Sequence, residues 1–365
     1  MMGRLMAAAT VAAVMAASPV HADGPDRTAL QTGLQALPRA AAIYVTGAGF
    51  DQPFGAAAGE ARPGEPMTVD TPLRIASNTK TFTAAALLRL WETGRIDLDA
   101  PIGPLLTPAL DARLKADGYD TAAITVRQVM SHSAGFYDHG SDQRFVQGIL
   151  SDPAHEYSRE ELVAMSMDWA DPQSAPGTKW QYSDTGYILL GDIVERIAGK
   201  PLGPAVRELL RLDRLNLTST WWEIMEPKPE GAPERAPQGL GRFDAANVHA
   251  SMDLYGGGGL VMSARDLATF FAALFEGRVF DRPETLNEMM WRGPHQRADH
   301  YRLGVFVTEA EDGRDFYWHS GFWGTIVAYD PTHRIAVSGV TLNPDNFGRT
   351  KALVQAALDA PPLNP

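Results

Sequence analysis

The sequence predicts a mixed α/β (α+β) chain: an antiparallel sheet flanked by helices, with an all-helical region inserted between the parts of the sheet. Three observations carry this. A short apolar run at 40–47 (AAAIYVTG), ended by glycine, reads as an early strand. The middle of the chain is dominated by segments of helical period. In the last quarter, residues 301–309, 315–319, 325–329 and 334–342 are short runs rich in Val, Ile, Phe and Tyr. Asp312-Gly313, Ser320-Gly321 and Asp330-Pro331 separate them, and strands joined so briefly can only pair antiparallel.

In chain order, residues 78–92 form a strong helix stopped by Gly94. Residues 126–130 and 159–167 are further helical segments. Residues 187–198 place Tyr187, Leu190, Val194, Ile197 and Ala198 on one face, with Gly199 as the stop. Pro227, Pro229, Pro233 and Pro237 mark an irregular excursion rather than a linker, because helical pattern resumes beyond them. Ser263-Ala264-Arg265-Asp266 reads as a capping box ahead of a helix over 267–275. A helix over 348–358 closes the chain. Neither repeats nor low-complexity tracts are evident.

Composition narrows the chemistry. The 365 residues include 32 Lys+Arg and 44 Asp+Glu, for a formal charge of −12, and no cysteine. The missing thiols exclude a disulfide scaffold, a cysteine nucleophile, a thiolate metal site and a lipid anchor on cysteine. The acidic balance argues against nucleic acid as a partner, which calls for a basic face. Arg4, the apolar run 5–17 and Val20-His21-Ala22 have the layout of a secretory signal peptide, cleaved after Ala22. The run is too short to span a bilayer, and no other segment approaches the roughly 18 apolar residues of a spanning helix. The expectation is an exported, periplasmic or secreted product without stable membrane insertion.

The chemistry-bearing residues begin with Ser77-Asn78-Thr79-Lys80. On a helix, Ser77, Lys80, Ala84, Leu87, Leu88 and Trp91 share one arc of roughly 100°. Burial on that face lowers an ammonium pKa, and a neutral amine one turn from a hydroxyl activates a serine nucleophile where no histidine base is present. Ser77 at the helix start also has free N–H groups for a developing oxyanion. Alone, the pattern is weak, and most such matches are a capping serine followed by a snorkelling lysine. Tyr182 stands in a loop, 176–186, that leads into the next helix; beside a buried lysine it can be held partly as phenolate and relay protons. Asp184 can equally serve as the N-cap of that helix. His319-Ser320-Gly321 ends a strand, where the edge offers a second oxyanion donor and Gly321 admits close approach.

Together, Ser77-x-x-Lys80, Tyr182-Ser183-Asp184 and His319-Ser320-Gly321, in that order and spacing, resemble the motifs of the penicillin-recognising serine hydrolases. The nearest groups are class C β-lactamases, D-alanyl-D-alanine carboxypeptidases with an H-x-G third motif, and related D-aminopeptidases and esterases. The stretches 125–135 and 256–267 resemble that family too, and the likeness extends over about residues 40–345. It implies a β-lactamase/transpeptidase-like fold in one catalytic domain, 23–365, with its α/β part at about 23–95 and 295–365 and its helical part at about 96–294. It also implies Ser77 as nucleophile, Lys80 as activator, Tyr182 as relay, and the N–H groups of Ser77 and Phe322 as oxyanion hole. Asp184, His319, Ser320 and Gly321 would meet the substrate.

Two features depart from the family pattern. Asp184 stands where most β-lactamases and many carboxypeptidases of this group carry Asn, and an ionised carboxylate only accepts hydrogen bonds, which disfavours β-lactam turnover. Phe322 and Trp323 stand where a hydroxyl residue is common, giving an apolar rim that leans toward esters or bulky acyl groups.

No cofactor or metal is implied, since His132 and His139 lack ligand spacing. Residues 256–259 lack the following Lys of a phosphate loop, G-x-S-x-G is absent, and Trp221-Trp222 reads as core or pocket wall. The expected activity is hydrolysis of amide or ester bonds in a small-molecule or peptide substrate, carboxypeptidase-like or β-lactamase-like. A carboxylesterase is the alternative within the class; a catalytically idle cell-wall-binding module is the alternative outside it. The sequence leaves oligomeric state open.

Overall fold

The computed structural model describes residues 25–49 and 52–360 of the chain; the expected leader lies outside the described residues. In order, the elements are α1 (Arg27–Gln35), β1 (Ala41–Thr46), β2 (Phe54–Ala58), β3 (Glu60–Arg62), β4 (Glu65–Pro66), β5 (Leu73–Arg74), α2 (Thr79–Glu92), α3 (Pro108–Ala116), α4 (Val126–Met130), α5 (Gln143–Ser151), α6 (Arg159–Trp169), α7 (Asp184–Ala198) and α8 (Leu202–Leu210). Then follow β6 (Trp221–Trp222), β7 (Gly239–Leu240), β8 (Phe243–Asp244), β9 (Leu260–Met262), α9 (Ala264–Phe275), α10 (Pro283–Met289), β10 (Phe306–Glu309), β11 (Asp315–Gly321), β12 (Thr325–Asp330), β13 (Ile335–Thr341) and α11 (Phe347–Asp359).

Both ends of the chain build the main sheet. Its six strands run in the order β10-β11-β12-β13-β1-β2, every neighbour antiparallel. The central strands are buried on both faces, so they lack the polar alternation of a half-solvated sheet. On one face Ile43, Ile326, Ala328, Ile335 and Val337 pack with Leu30 and Leu34 of α1 and Val354 and Leu358 of α11. On the other, Val327, Tyr329 and Ala336 join the large core that includes Phe270, Phe271 and Phe275 of α9. Gly339 lets α11 lie close, since a Cβ there would come within 2.8 Å of the Val354 and Thr350 side chains.

α2 is buried on every side from Thr79 to Leu90, as a helix without a solvent face must be. Small residues allow this, and Phe82 stacks on Phe270 at 3.7 Å. Its first turn is tied to the sheet by Asn78, whose Nδ2 donates to Ile75 O (2.8 Å) and Thr325 Oγ1 (2.7 Å).

Several local expectations need correction. The strand expected from Tyr301 begins only at Phe306, because 301–305 turn back through an Arg302 N–H to Val305 O bond. Ser263 caps α9 through Asp266 N, but Asp266 does not return the bond: its Oδ2 accepts from Ser219 N and Thr220 Oγ1. The cap of α7 is Ser183, accepting from Gly186 N, while Asp184 occupies the first helical position. Trp221 and Trp222, by contrast, are core residues as read.

Candidate active site

Three separate stretches meet at Ser77. The residue before it, Ala76, has φ +45°, a left-handed conformation that costs about 1–3 kcal/mol outside glycine and asn-like residues. The short helical turn 76–78 then delivers Ser77, half-buried, onto the start of α2. Lys80, wholly buried, donates from Nζ to Ser77 Oγ (2.9 Å) and to Gly257 O (2.8 Å). Its Nζ lies 2.5 Å from Asp184 Oδ1 and 5.1 Å from the Tyr182 ring centre.

The third stretch is the end of β11. A Cβ on Gly321 would lie 2.1 Å from Ile75 O and 2.5 Å from Thr325 Oγ1. Only glycine lets the strand edge come this close to the Ser77 turn, and that contact sets the Phe322 backbone beside it. Phe322 is 47% exposed, whereas Trp323 is fully buried in the core. The apolar rim expected from both residues therefore consists of Phe322 alone. His319 is buried too, with Nε2 3.2 Å from the Tyr301 hydroxyl.

Charge states follow from packing. Burial alone would lower the Lys80 pKa, but Asp184, then Tyr182 and Asp253, outweigh it, and the net direction is upward. The neutral amine expected from the sequence is thus corrected to an ammonium, because the burial comes with a carboxylate partner. Tyr182 is corrected likewise. Burial raises its pKa, Asp184 adds to that, and the opposing effect of Lys80 does not cancel them, so the resting group is a phenol. Asp184 sits below the usual carboxylate range: burial opposes ionisation, but Lys80 prevails. Burial lowers His319 to about 3 and His139 to about 4, so both imidazoles are neutral.

Two pockets open at Ser77. One, of about 560 Å³, is largely apolar, with Phe145, Ile149, Leu162, Ile188 and Met252 in its wall and Asp184 and Asp253 toward Lys80. The other, of about 710 Å³, runs past Tyr182, Phe306, His319, Ser320, Gly321 and Phe322 to Phe347. Neither is lined by an arginine or a lysine. All eight residues singled out from the sequence therefore gather here.

Sequence reasoning missed others. Asp138 accepts the Asp184 N–H at 2.9 Å and is pushed up to about 7, by burial first and the Asp184 charge second. Asp253 is raised to about 7, by burial opposed by Lys80. His132, read as a loop residue, is buried against Tyr182, Tyr187 and Tyr301. Only His132 had a signal, its place in the stretch 125–135. No group of three or more metal-ligating side chains occurs among the described residues.

The match to the Beta-lactamase family spans residues 30–359. The chain belongs to that family. Within it, Esterase EstB of Burkholderia gladioli is 32% identical over 279 residues, covering 68% of this chain and 69% of the relative. Unguisins hydrolase ungD' of Aspergillus campestris is 25% identical over 324 residues, covering 81% of this chain but 57% of the relative, so the chain spans little more than half of that protein's length. Among solved structures, a D-stereospecific amidohydrolase from Streptomyces sp. superposes with a TM-score of 0.78 at 27% identity, over 92% of this chain and 100% of that one. This Beta-lactamase family member is accordingly a serine hydrolase of the β-lactamase/transpeptidase-like fold, with esterases and amidases among its relatives.

Proposed function

We propose that the protein is an exported, periplasmic or secreted hydrolase that forms an acyl-enzyme at Ser77 on ester or amide bonds of small molecules. The observation that carries this is Lys80 Nζ at 2.9 Å from Ser77 Oγ, with Tyr182 beside both. The resting charges favour a division of labour. In one concerted relay Ser77 Oγ attacks the carbonyl carbon, its proton passes to the Tyr182 oxygen, and the phenol proton passes to the leaving-group atom, whose bond to the carbonyl carbon then breaks. Lys80 stays an ammonium throughout and stabilises the charge that develops on Ser77 and Tyr182. The N–H groups of Ser77 and Phe322 face the carbonyl oxygen as the oxyanion hole. Water then repeats the sequence in reverse to release the acid.

Within the class, uncharged esters and amides are favoured over peptides ending in a carboxylate. With no arginine or lysine lining either pocket and His319 neutral, a terminal carboxylate would have no cationic partner. The esterase and amidohydrolase relatives support the same preference. Asp184, ionised and engaged with Lys80, cannot donate to a β-lactam side-chain carbonyl as Asn would.

The test is to incubate the purified protein with p-nitrophenyl acetate and, separately, a fluorescent penicillin, alongside Ser77→Ala. Ester turnover abolished by Ser77→Ala and little stable penicillin label is the expected result. Stable label on Ser77 would indicate a carboxypeptidase-like protein, and label that clears a β-lactamase. Turnover unaffected by Ser77→Ala, or no reaction with either probe, would overturn the proposal.

A further inference from the structure

His132 has no part in the proposed chemistry, yet it touches Tyr182 and both of its chain neighbours. The main chain on either side of Tyr182 is bound by this one histidine: Gln181 N–H donates to His132 O (2.7 Å) and Ser183 N–H donates to His132 Nδ1 (3.1 Å). Between these bonds, the imidazole lies against the Tyr182 ring with centroids 4.3 Å apart. Tyr301 (4.7 Å) and Tyr187 (5.0 Å) close on the imidazole from other elements, so it has little room to turn. Tyr187 is itself anchored by its hydroxyl to Met130 O at 2.8 Å.

The backbone geometry is specific as well. His132 has φ +56°, the left-handed conformation of a residue just past a helix end: it follows α4, with His132 N–H donating to Val129 O (3.1 Å) and Ser133 N–H donating to Gln128 O (2.8 Å). That conformation turns both its carbonyl and its ring toward the 181–183 segment. The same turn continues the docking, since Ser133 O accepts from Gly177 N and Gly135 O accepts from Gln173 N. With Nδ1 engaged as an acceptor, the neutral ring carries its proton on Nε2.

We infer that His132 is a positioning residue that holds the Tyr182 phenol in register with Ser77 and Lys80 by clamping both flanks of its loop and packing on its ring. The inference rests on the reading of Ser77 and Tyr182 given above. It goes beyond that reading in assigning the accuracy of the relay to a residue that never touches substrate. A relay oxygen displaced by about 1 Å loses on the order of 10²-fold in rate, so the effect falls on kcat rather than on binding.

The experiment is a double-mutant cycle on acylation, measured as the burst rate with p-nitrophenyl acetate and checked by labelling with a fluorophosphonate probe. His132→Leu keeps bulk and removes the Nδ1 acceptor. His132→Asn keeps an acceptor and tolerates positive φ but removes the ring. The expected result is a loss of at least thirtyfold in the limiting burst rate for His132→Leu, with the substrate concentration at half that rate within threefold, and partial recovery in His132→Asn. In a Tyr182→Phe background, either change should cost less than twofold, because the group it positions is gone. Two results would overturn the inference: a folded His132→Leu enzyme within threefold of the parent rate, or an equal loss with and without the Tyr182 hydroxyl. Where His132→Leu does not fold, the His132→Asn arm of the cycle decides by the same criterion. Ser77→Ala run in parallel keeps the two readings apart, since activity surviving it would refute the nucleophile assignment and not the role of His132.

Discussion

Asp184 and Lys80 form a pair in which the lysine is wholly buried, the aspartate is 26% exposed in its side chain, and their charged atoms are 2.5 Å apart. The pair settles the charge of the site. Without the carboxylate, burial would drive the amine toward its neutral form; with it, the ammonium persists.

Asp184→Asn therefore lowers the Lys80 pKa. If the ammonium is the working form, the alkaline limb of kcat/KM for p-nitrophenyl acetate moves to lower pH, and activity at pH 9 falls about tenfold or more. A rise in activity at pH 8–9 would instead identify neutral Lys80 as the base. An unchanged profile would show that Asp184 does not govern the lysine.

Gly321 and Ile75 make a second decisive contact. Gly321→Ala places a methyl 2.1 Å from the Ile75 carbonyl oxygen, so backbone must shift at the junction of β11 and the Ser77 turn. Kcat falls by roughly 10²-fold, the scale of an ångström misplacement. The thermal midpoint records the packing cost separately. Retention of full kcat would remove the strand edge from the proposed oxyanion hole.

The main sheet and the helices beside it were legible because they follow local periodicity: the runs at 315–319 and 325–329 become β11 and β12, and 126–130 is α4 as read. The convergence of Ser77, Lys80 and Tyr182 was legible through the motif resemblance. Their ionisation was not. Whether a buried lysine is neutral depends on a partner 104 positions away, Asp184, whose distance no spacing rule gives. Asp253 was invisible for the same reason, since its charge acts on Lys80 from the end of the short helical turn 250–253. Asp266 shows the local version: it fits a capping box, yet tertiary donors at Ser219 and Thr220 outcompete the single N–H it would have bonded.

The apolar pocket predicts a chain-length preference. Val146 is half-buried in its wall, so Val146→Trp narrows the cavity without touching Ser77. Turnover of p-nitrophenyl hexanoate falls at least tenfold relative to the acetate, a change on the scale of one or two lost methylene contacts. An equal effect on both esters would place the acyl chain elsewhere.

Asp253 gives a prediction in stability and pH. Its carboxyl is raised to about 7, by burial first and by the Asp184 and Glu223 charges, against the opposing pull of Lys80 and Arg74. Unfolded, it titrates near the ordinary value of about 3.9. The folded state therefore binds the extra proton between these limits, and the stability this contributes is complete below about pH 4 and lost as pH rises through 7. Asp253→Asn mimics the protonated carboxyl at every pH. The urea midpoint of the variant should match the parent near pH 4 and exceed it increasingly toward pH 8, where the difference levels off. A difference independent of pH, or largest at low pH, would mean that Asp253 is ionised in the folded protein, so that a second carboxylate charge acts on the Lys80 ammonium.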